Sequence, residues 1–263
     1  MEMFELERRC PAAFVNTPYS GVSNKYVFIG TKPVIESLAN EGWVPVDGKQ
    51  AKARSYEKAP YTRHLIRFRN NEIEPIADPR NGSGKNLHME LILINGHDGS
   101  ASYTLHAGLF SFVCCNGLIV GSMLDSITVR HMGLKATLEA VTTGATHLVA
   151  TQLPKLAGAV EQMSTRHISR SEQHEFARHA LELRYKGMPP VLTTDQMLSV
   201  HRNEDAANDV WTTLNVIQEN VLSVKHDGHS FTGRRTRIGA VTAVRESTAI
   251  NRGLWDYAMK IAA

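Results

Sequence analysis

Cysteine is nearly missing from this chain of 263 residues: only Cys10, Cys114 and Cys115 occur. Adjacent cysteines cannot readily bridge each other, because a disulfide needs converging side chains. There is no CxxC pair and no HExxH motif, so neither a disulfide scaffold nor a zinc site is expected. The three thiols read as small buried hydrophobes in a reducing cytoplasm. Long apolar runs are missing too. The longest candidate, 109–120, is interrupted by Ser111, Asn116 and Gly117, and a membrane helix needs roughly 18 to 20 apolar residues. The first nine residues mix three Glu with two Arg and lack the apolar core of a secretory signal, so no export is expected. A strong charge of one sign is absent as well: 29 Lys plus Arg face 26 Asp plus Glu, for a net charge of +3. No GxxxxGK[ST] loop occurs, which leaves nucleotide hydrolysis without support.

What is present is ordinary globular material. A hydrophobic share of 42% and a charged share of 21% exclude disorder, collagen and coiled coil as readings of the whole chain. The length fits a single domain spanning residues 1–263. Its first half, residues 24–131, reads as strands: 25–29, 61–69, 87–94, 102–106, 109–114 and 127–130 are short, rich in β-branched or aromatic residues, and separated by Gly, Asn and Asp. One helix interrupts them, with Thr31 as N-cap and Pro33 in its first turn, ending near Ala39 before Gly42. The polar, Pro- and Gly-containing stretch 73–85 reads as a loop inside the domain. The second half, residues 137–261, changes period. Apolar residues recur at three and four over 137–163, 171–185, 204–222 and 241–261, as amphipathic helices require. Ser169 with Glu172 forms a capping-box pattern, and Thr194 or Asp195 can cap a short turn. A run of strands followed by a run of helices predicts an α+β fold, an N-terminal antiparallel β-sheet followed by C-terminal amphipathic helices. The segment 102–121 should form a hairpin near the sheet centre, with Phe110, Phe112 and Cys114 on one buried face.

Basic residues cluster in two places. Period-two alternation along 61–69 puts Arg63, Leu65, Arg67 and Arg69 on one face and Thr62, His64, Ile66 and Phe68 on the other. Together with Lys52, Arg54 and Lys58, residues 51–69 hold six cations against one anion, Glu57. Such clustering favours a polyanion, and Arg offers planar bidentate phosphate contacts; the alternative is a solvated sheet face carrying ordinary anti-aggregation charges. The second cluster, Lys225, His226, His229, Arg234, Arg235 and Arg237, is expected in a loop between two helices, where phosphates could also meet backbone N–H groups around Gly228 and Gly233. Aromatic residues for base stacking are available at Tyr56, Tyr61, Phe68, Tyr103, Phe110 and Phe112. His97 and Asp98 lie in the tight turn Asn95-Gly-His-Asp-Gly99, yet no nucleophile accompanies them, and neighbours on a turn do not make a catalytic dyad. No His pair has a third ligand at metal spacing. No catalytic residue, metal or cofactor is assigned.

The turn 95–103 (NGHDGSASY), the following 108–121 (GLFSFVCCNGLIVG), the strand 61–69, Leu183-Arg-Tyr185, Thr193-Thr-Asp195, Trp211, 218–222 (QENVL) and 251–255 (NRGLW) resemble the domain-of-unknown-function family 932 of bacterial plasmids, prophages and phages. The resemblance runs from about residue 24 to 260 and implies a setting of DNA recombination, replication or counter-defence. The strand-then-helix order and the basic sheet face are loosely similar to phage single-strand annealing proteins of the Red-beta and Erf kind. The expected function is thus binding of single-stranded DNA by a cytoplasmic homo-oligomer that anneals strands without covalent chemistry. The helix 241–261, with Leu254, Trp255, Tyr257, Ala258 and Ile261, is a candidate subunit interface, unless those residues close the monomer's own core. Two alternatives stand beside this reading. One is a counter-defence factor that binds a host protein. The other is an enzyme using Glu90, Asp98 and Asp125 around a metal.

Overall fold

The computed structural model describes residues 1–53, 55–80, 86–111, 118–119, 127–129, 138–229 and 233–263. The fold is α+β, with antiparallel strands in the N-terminal half and helices in the C-terminal part. The chain divides into two compact units. One comprises Met1–Pro75, His88–Gly108 and Gly121–Leu153; the other comprises Ile76–Leu87, Leu109–Val120 and Pro154–Ala263.

The first unit opens with α1 (Met3–Arg9), a 3-10 turn (Pro11–Phe14) and α2 (Thr31–Asn40). The sheet contains β1 (Trp43–Gln50), β2 (His64–Asn70), β4 (Asn86–Asn95) and β5 (Tyr103–Ser111) in that spatial order, of which Asn86–Leu87 and Leu109–Ser111 belong to the second unit, and β7 (Ile127–Val129) pairs with β5 through Tyr103–Leu105. Strand β1 lies at the sheet edge, where Pro45 and a register shift between Pro45 and Asp47 interrupt the ladder. Such features blunt an exposed edge against further pairing. Consecutive residues Met89, Glu90, Leu91, Ile92 and Leu93 are all buried, as are Leu65, Ile66 and Phe68. Neighbouring strand residues point to opposite faces, so both faces of this part of the sheet are covered. That placement decides the fate of the arginines on β2.

The second unit begins with β3 (Ile76–Ala77), which pairs with Leu87 and Asn86 at the start of β4, and includes β6 (Leu118–Ile119). Helix α3 (Leu138–Thr165) enters it at Pro154 and is followed by α4 (Arg170–Tyr185), the single turn α5 (Thr194–Met197), α6 (Val210–Leu222), the two-stranded hairpin β8 (His226–His229) and β9 (Arg235–Ile238), and α7 (Val244–Ala262). Helices α4, α6 and α7 pack on one another. The capping box expected at Ser169 is formed: its side chain accepts from Glu172 N, and Glu172 Oε2 accepts from Ser169 N at 2.7 Å. Thr193 and Gln196 make a second capping box at α5, one residue before the cap expected there.

Helix α6 is buried all round except at Glu219, and its polar residues are satisfied internally, as burial demands. Gln218 donates to Asn251 Oδ1 at 2.7 Å, and Asn220 donates to the carbonyls of Met197, Ser199 and Val216. Beside it runs a chain of charges, buried at Asp78, Arg80 and Asp205. Asp78 accepts from Trp211 Nε1 at 3.0 Å and from Arg80 Nη2 at 2.6 Å; Arg80 reaches Asp205 at 3.2 Å; Asp205 takes Arg202 Nε at 2.8 Å; and Arg202 also pairs with Glu219. Arg80 is only 2% exposed. The stretch 73–85, read as a loop, therefore carries β3 and a buried anchor, while 81–85 lie outside the described residues.

Several expected elements differ. Residues 25–29 form no strand: Tyr26 and Phe28 dock by their side chains on the turn at His97, with Tyr26 Oη donating to Gly96 O at 3.1 Å and the Phe28 ring 4.8 Å from His97. Thr31 is not an N-cap. Gly30 takes that position, and the Thr31 hydroxyl turns into a buried polar cluster instead. The strands expected at 102–106 and 109–114 are joined through Ala107 and Gly108 in one strand, β5 (Tyr103–Ser111), with no turn between them, and 112–114 lie outside the described residues. The burial expected of Phe110, Phe112 and Cys114 falls on side chains outside the described ones. The helix expected from Glu204 starts only at Val210, where Asp209 caps it by accepting from Thr212 N at 2.8 Å. The basic loop after it is a hairpin. Finally, of the five residues named on α7, Leu254, Trp255 and Ala258 are buried in the second unit, whereas Tyr257 and Ile261 are half-buried.

Candidate functional site

Register explains where the arginines of β2 go. Arg69 lies directly opposite Glu90, and Arg67 lies opposite Asp47. Facing positions bring side chains within reach across the strands. Glu90 has no solvent exposure and receives Arg67 Nε at 2.6 Å, Arg69 Nε at 3.0 Å and the Arg69 Nη2 group. Arg67 also reaches Asp47 at 3.6 Å, and Asp47 pairs with Arg9 at 3.2 Å. The face that alternation makes cationic is thereby balanced by carboxylates from the two flanking strands. Arg63 turns elsewhere and donates to Ser100 O at the tight turn.

The remaining cations of this segment stand on an excursion of the chain, Ala51–Thr62. Its ends are tied together: Ala51 N donates to Arg63 O at 2.8 Å, and the Thr62 hydroxyl donates to Ala51 O at 2.9 Å. Gln50 Nε2 holds its far limb through Ala59 O at 2.9 Å. A compact loop with joined ends is a common carrier of function. Tyr56 on this loop is 95% exposed. Lys52 and Lys58 flank it, both exposed, and neither has a carboxylate partner among the described residues. Arg54 lies outside the described residues. Lys58 Nζ sits 5.2 Å from the centre of the Tyr19 ring, a cation–π distance, and Tyr19 is 5.8 Å from the half-buried Tyr61.

The turn Asn95–Gly99 positions this aromatic pair. His97 N donates to Tyr61 O at 2.8 Å, and Tyr19 N donates to His97 O at 2.9 Å. Gly99 adopts φ +78°, the left-handed region that favours glycine, and a side chain at Gly96 would press on Ala101 and the Arg63 backbone. Asp98 accepts from Ser100 N at 3.0 Å, the Asx-turn bond expected of it. His97 and Asp98 have different partners and form no dyad.

Beneath the turn, the His97 side chain joins a buried cluster that sequence reasoning did not bring together. Thr31 Oγ1 lies 2.8 Å from His64 Nε2, 3.3 Å from His97 Nε2 and 3.0 Å from Asn95 Nδ2, while His64 Nδ1 lies 3.2 Å from Thr62 O. One proton arrangement closes this cluster. His64 donates through Nδ1 to the Thr62 carbonyl, Thr31 donates to His64 Nε2, and Asn95 and His97 donate to the Thr31 oxygen. Burial pushes the His64 imidazole down to about 4, against a smaller upward contribution from the Thr62 carbonyl. A hydroxyl 2.8 Å from an imidazole has the spacing of an activated nucleophile. Here Thr31 and His64 are both wholly buried, and the oxygen's accepting positions are filled, so the cluster braces α2, β2 and the turn rather than facing a substrate.

Of the three acidic residues an enzyme would recruit, Glu90 is held by two arginines, Asp98 by its own turn, and Asp125 lies outside the described residues. Among the described residues no group of three or more His, Cys, Asp or Glu could hold a metal ion, and no helix is long and apolar enough to cross a membrane. The second basic cluster is on the hairpin in the other unit. Arg234, Arg235 and Arg237 are exposed there, and Arg235 pairs with Asp227 at 3.2 Å. In the first unit, Lys52, Arg54, Tyr56 and Lys58, each named from the sequence, fall at alternate positions of one segment.

The turn that carries this architecture lies within the family described as a domain of unknown function (DUF932), which matches residues 18–255. This chain belongs to the DUF932 family. Relatives in Escherichia coli (strain K12) are the UPF0380 proteins YfjQ and YafZ, each 31% identical over 256 residues, covering 97% of this chain and 89% of the relative. No solved structure matches the chain. The DUF932 match thus includes both the Ala51–Thr62 loop and the β8–β9 hairpin.

Proposed function

We propose that this DUF932 protein binds single-stranded nucleic acid, with the Ala51–Thr62 loop as the primary contact. The observation that carries the reading is Tyr56, an aromatic ring 95% exposed between the cations Lys52 and Lys58. An unburied tyrosine gains nothing for the fold, whereas an exposed ring beside cations is the platform on which a base stacks while its phosphates meet the lysines. The Tyr19–Tyr61 pair with Lys58 above it extends that surface. Arg67 and Arg69 act in the fold through Glu90 instead of in the contact. Binding of this kind needs no covalent step, and it supports strand annealing if several subunits line up their sites. Self-assembly then uses surfaces other than the buried apolar residues of α7. We place the protein in the cytoplasm, where Cys10 stays a thiol; burial, helped by the Asp47 charge, pushes it up to about 12.

The test is titration of a labelled oligothymidylate with the full chain over a salt series. Binding should weaken as salt rises, by a log–log slope of about 0.7 per phosphate contact. Tyr56→Ala should weaken it about tenfold, within the range for losing one base stack, and the Lys52→Ala, Lys58→Ala pair should flatten the slope. Absence of saturable binding by the folded wild type at low salt refutes the reading. Salt-insensitive capture of a host protein in its place favours the counter-defence alternative.

A further inference from the structure

The β8–β9 hairpin is unusually well anchored for so short a ribbon. Two strands of four residues are marginal by themselves in water. Two contacts hold β8 itself and two more hold the chain just outside the strand pair. His226 Nε2 bonds the Asn220 carbonyl at 2.9 Å, Gln196 Nε2 donates to Asp227 O at 2.7 Å, Val241 N donates to Leu222 O at 2.8 Å, and Arg184 Nη2 donates to Gly239 O at 2.7 Å. Gly228 lies so close to Val191 that a side chain there would stand 2.9 Å from the Val191 carbonyl oxygen. The anchored face consists of His226, Gly228 and, partly, Thr236 and Ile238; the opposite face presents Asp227, Arg235 and Arg237 to solvent.

Arg235 and Arg237 share that outer face at a spacing of about 7 Å, two residues along a strand. Lys225 and Arg234 flank them, so the ribbon carries four cations against one carboxylate. That carboxylate is centrally placed. Asp227 is directly opposite Arg237 in the register and pairs diagonally with Arg235 at 3.2 Å. Both members of the pair are largely exposed, at 78% and 64%, so the bond contributes little to stability and a phosphate can displace it.

We propose that the outer face of β8–β9 is a second phosphate-binding site for the same single-stranded ligand, and that Asp227 is its resident competitor. The carboxylate occupies the arginine fork until a backbone phosphate takes its place. A single monovalent anion gains too little to displace it; a polyanion that engages Arg235 and Arg237 together gains twice. Asp227 thereby selects for a strand over small anions. This inference rests on the reading that the protein binds single-stranded nucleic acid, and it concerns a different unit of the chain from the Tyr56 loop.

The experiment uses the full chain and labelled oligothymidylate at fixed salt, with folding checked by circular dichroism. Asp227→Asn should tighten binding about two- to fivefold, the equivalent of one exposed ion pair. The Arg235→Ala, Arg237→Ala pair should weaken binding and lower the salt slope by about 0.7 for each lost contact. In that doubly substituted background, Asp227→Asn should give no further gain. An equal gain in both backgrounds means a general charge effect and overturns the competitor role. Hairpin variants with wild-type affinity, alongside a Tyr56→Ala variant that loses it, overturn the second site and leave the primary reading standing. A wild type that does not bind at all removes both.

Discussion

Glu90 is the shared anion of two arginines in the first unit. It is wholly buried between Arg67 and Arg69, which are 17% and 12% exposed. Glu90→Ala leaves two mostly buried guanidinium groups without their shared anion. Removing one partner of a buried pair costs about 3–5 kcal/mol, because the remaining charge is left uncompensated. Arg67 keeps Asp47 at 3.6 Å, and both arginines keep some water, which places the expected loss at the lower end, about 3 kcal/mol. Glu90→Gln preserves the shape and one acceptor oxygen, and it should lose about 2 kcal/mol, the worth of a hydrogen bond to a charged group. The assay is urea unfolding followed by tryptophan fluorescence, where the midpoint should fall at unchanged slope. Trp43, buried on β1, reports from the same unit. The reasoning is refuted if Glu90→Ala unfolds at the wild-type urea concentration while single-strand binding changes, because the two arginines would then be held for a ligand and not for the sheet.

Three further perturbations test other parts of the fold. His64 titrates near 4 when folded, against an ordinary value of 6.5, so its neutral form contributes stability above pH 6.5 that is lost as the pH falls toward 4, about 3 kcal/mol in all; His64→Phe should flatten the urea midpoint across that window, and an unchanged pH dependence would contradict the assignment. Asp78 sits below the usual carboxylate range: burial alone would raise it, but the bonds and charge of Arg80 together with the Trp211 bond outweigh that. Its contribution is present above the unfolded carboxylate value near 4 and lost in more acid solution; Asp78→Ala should cost about 3–5 kcal/mol and shift Trp211 emission, and a silent Trp211 would count against the network. Gly228→Ala should cost about 1–3 kcal/mol through the clash with the Val191 backbone and expose the hairpin to hydrogen exchange, whereas wild-type protection there would show that the hairpin is not pinned.

Much of this protein was legible in the sequence because the signals were local. The change from period two to period 3.6 gave the α+β class, Ser169 and Glu172 gave a capping box, and Asn95–Gly99 gave a turn, since each depends on residues within one turn or one strand. Tertiary structure alone decided what the charges do. Alternation puts Arg67 and Arg69 on one face, but whether that face meets water depends on the register that sets Arg69 against Glu90 and Arg67 against Asp47, and register is a relation between distant segments. The same holds for Thr31, read as a cap from its neighbours and drawn instead into contact with His64 and His97. It holds also for α7, whose apolar stripe fits a partner helix or the chain's own core equally well until the other helices are in place. Composition fixed how many cations the chain has; packing chose which of them are neutralised inside and which, at Lys52, Lys58 and Arg237, remain on the surface, because a charge can be buried only where the fold supplies its partner.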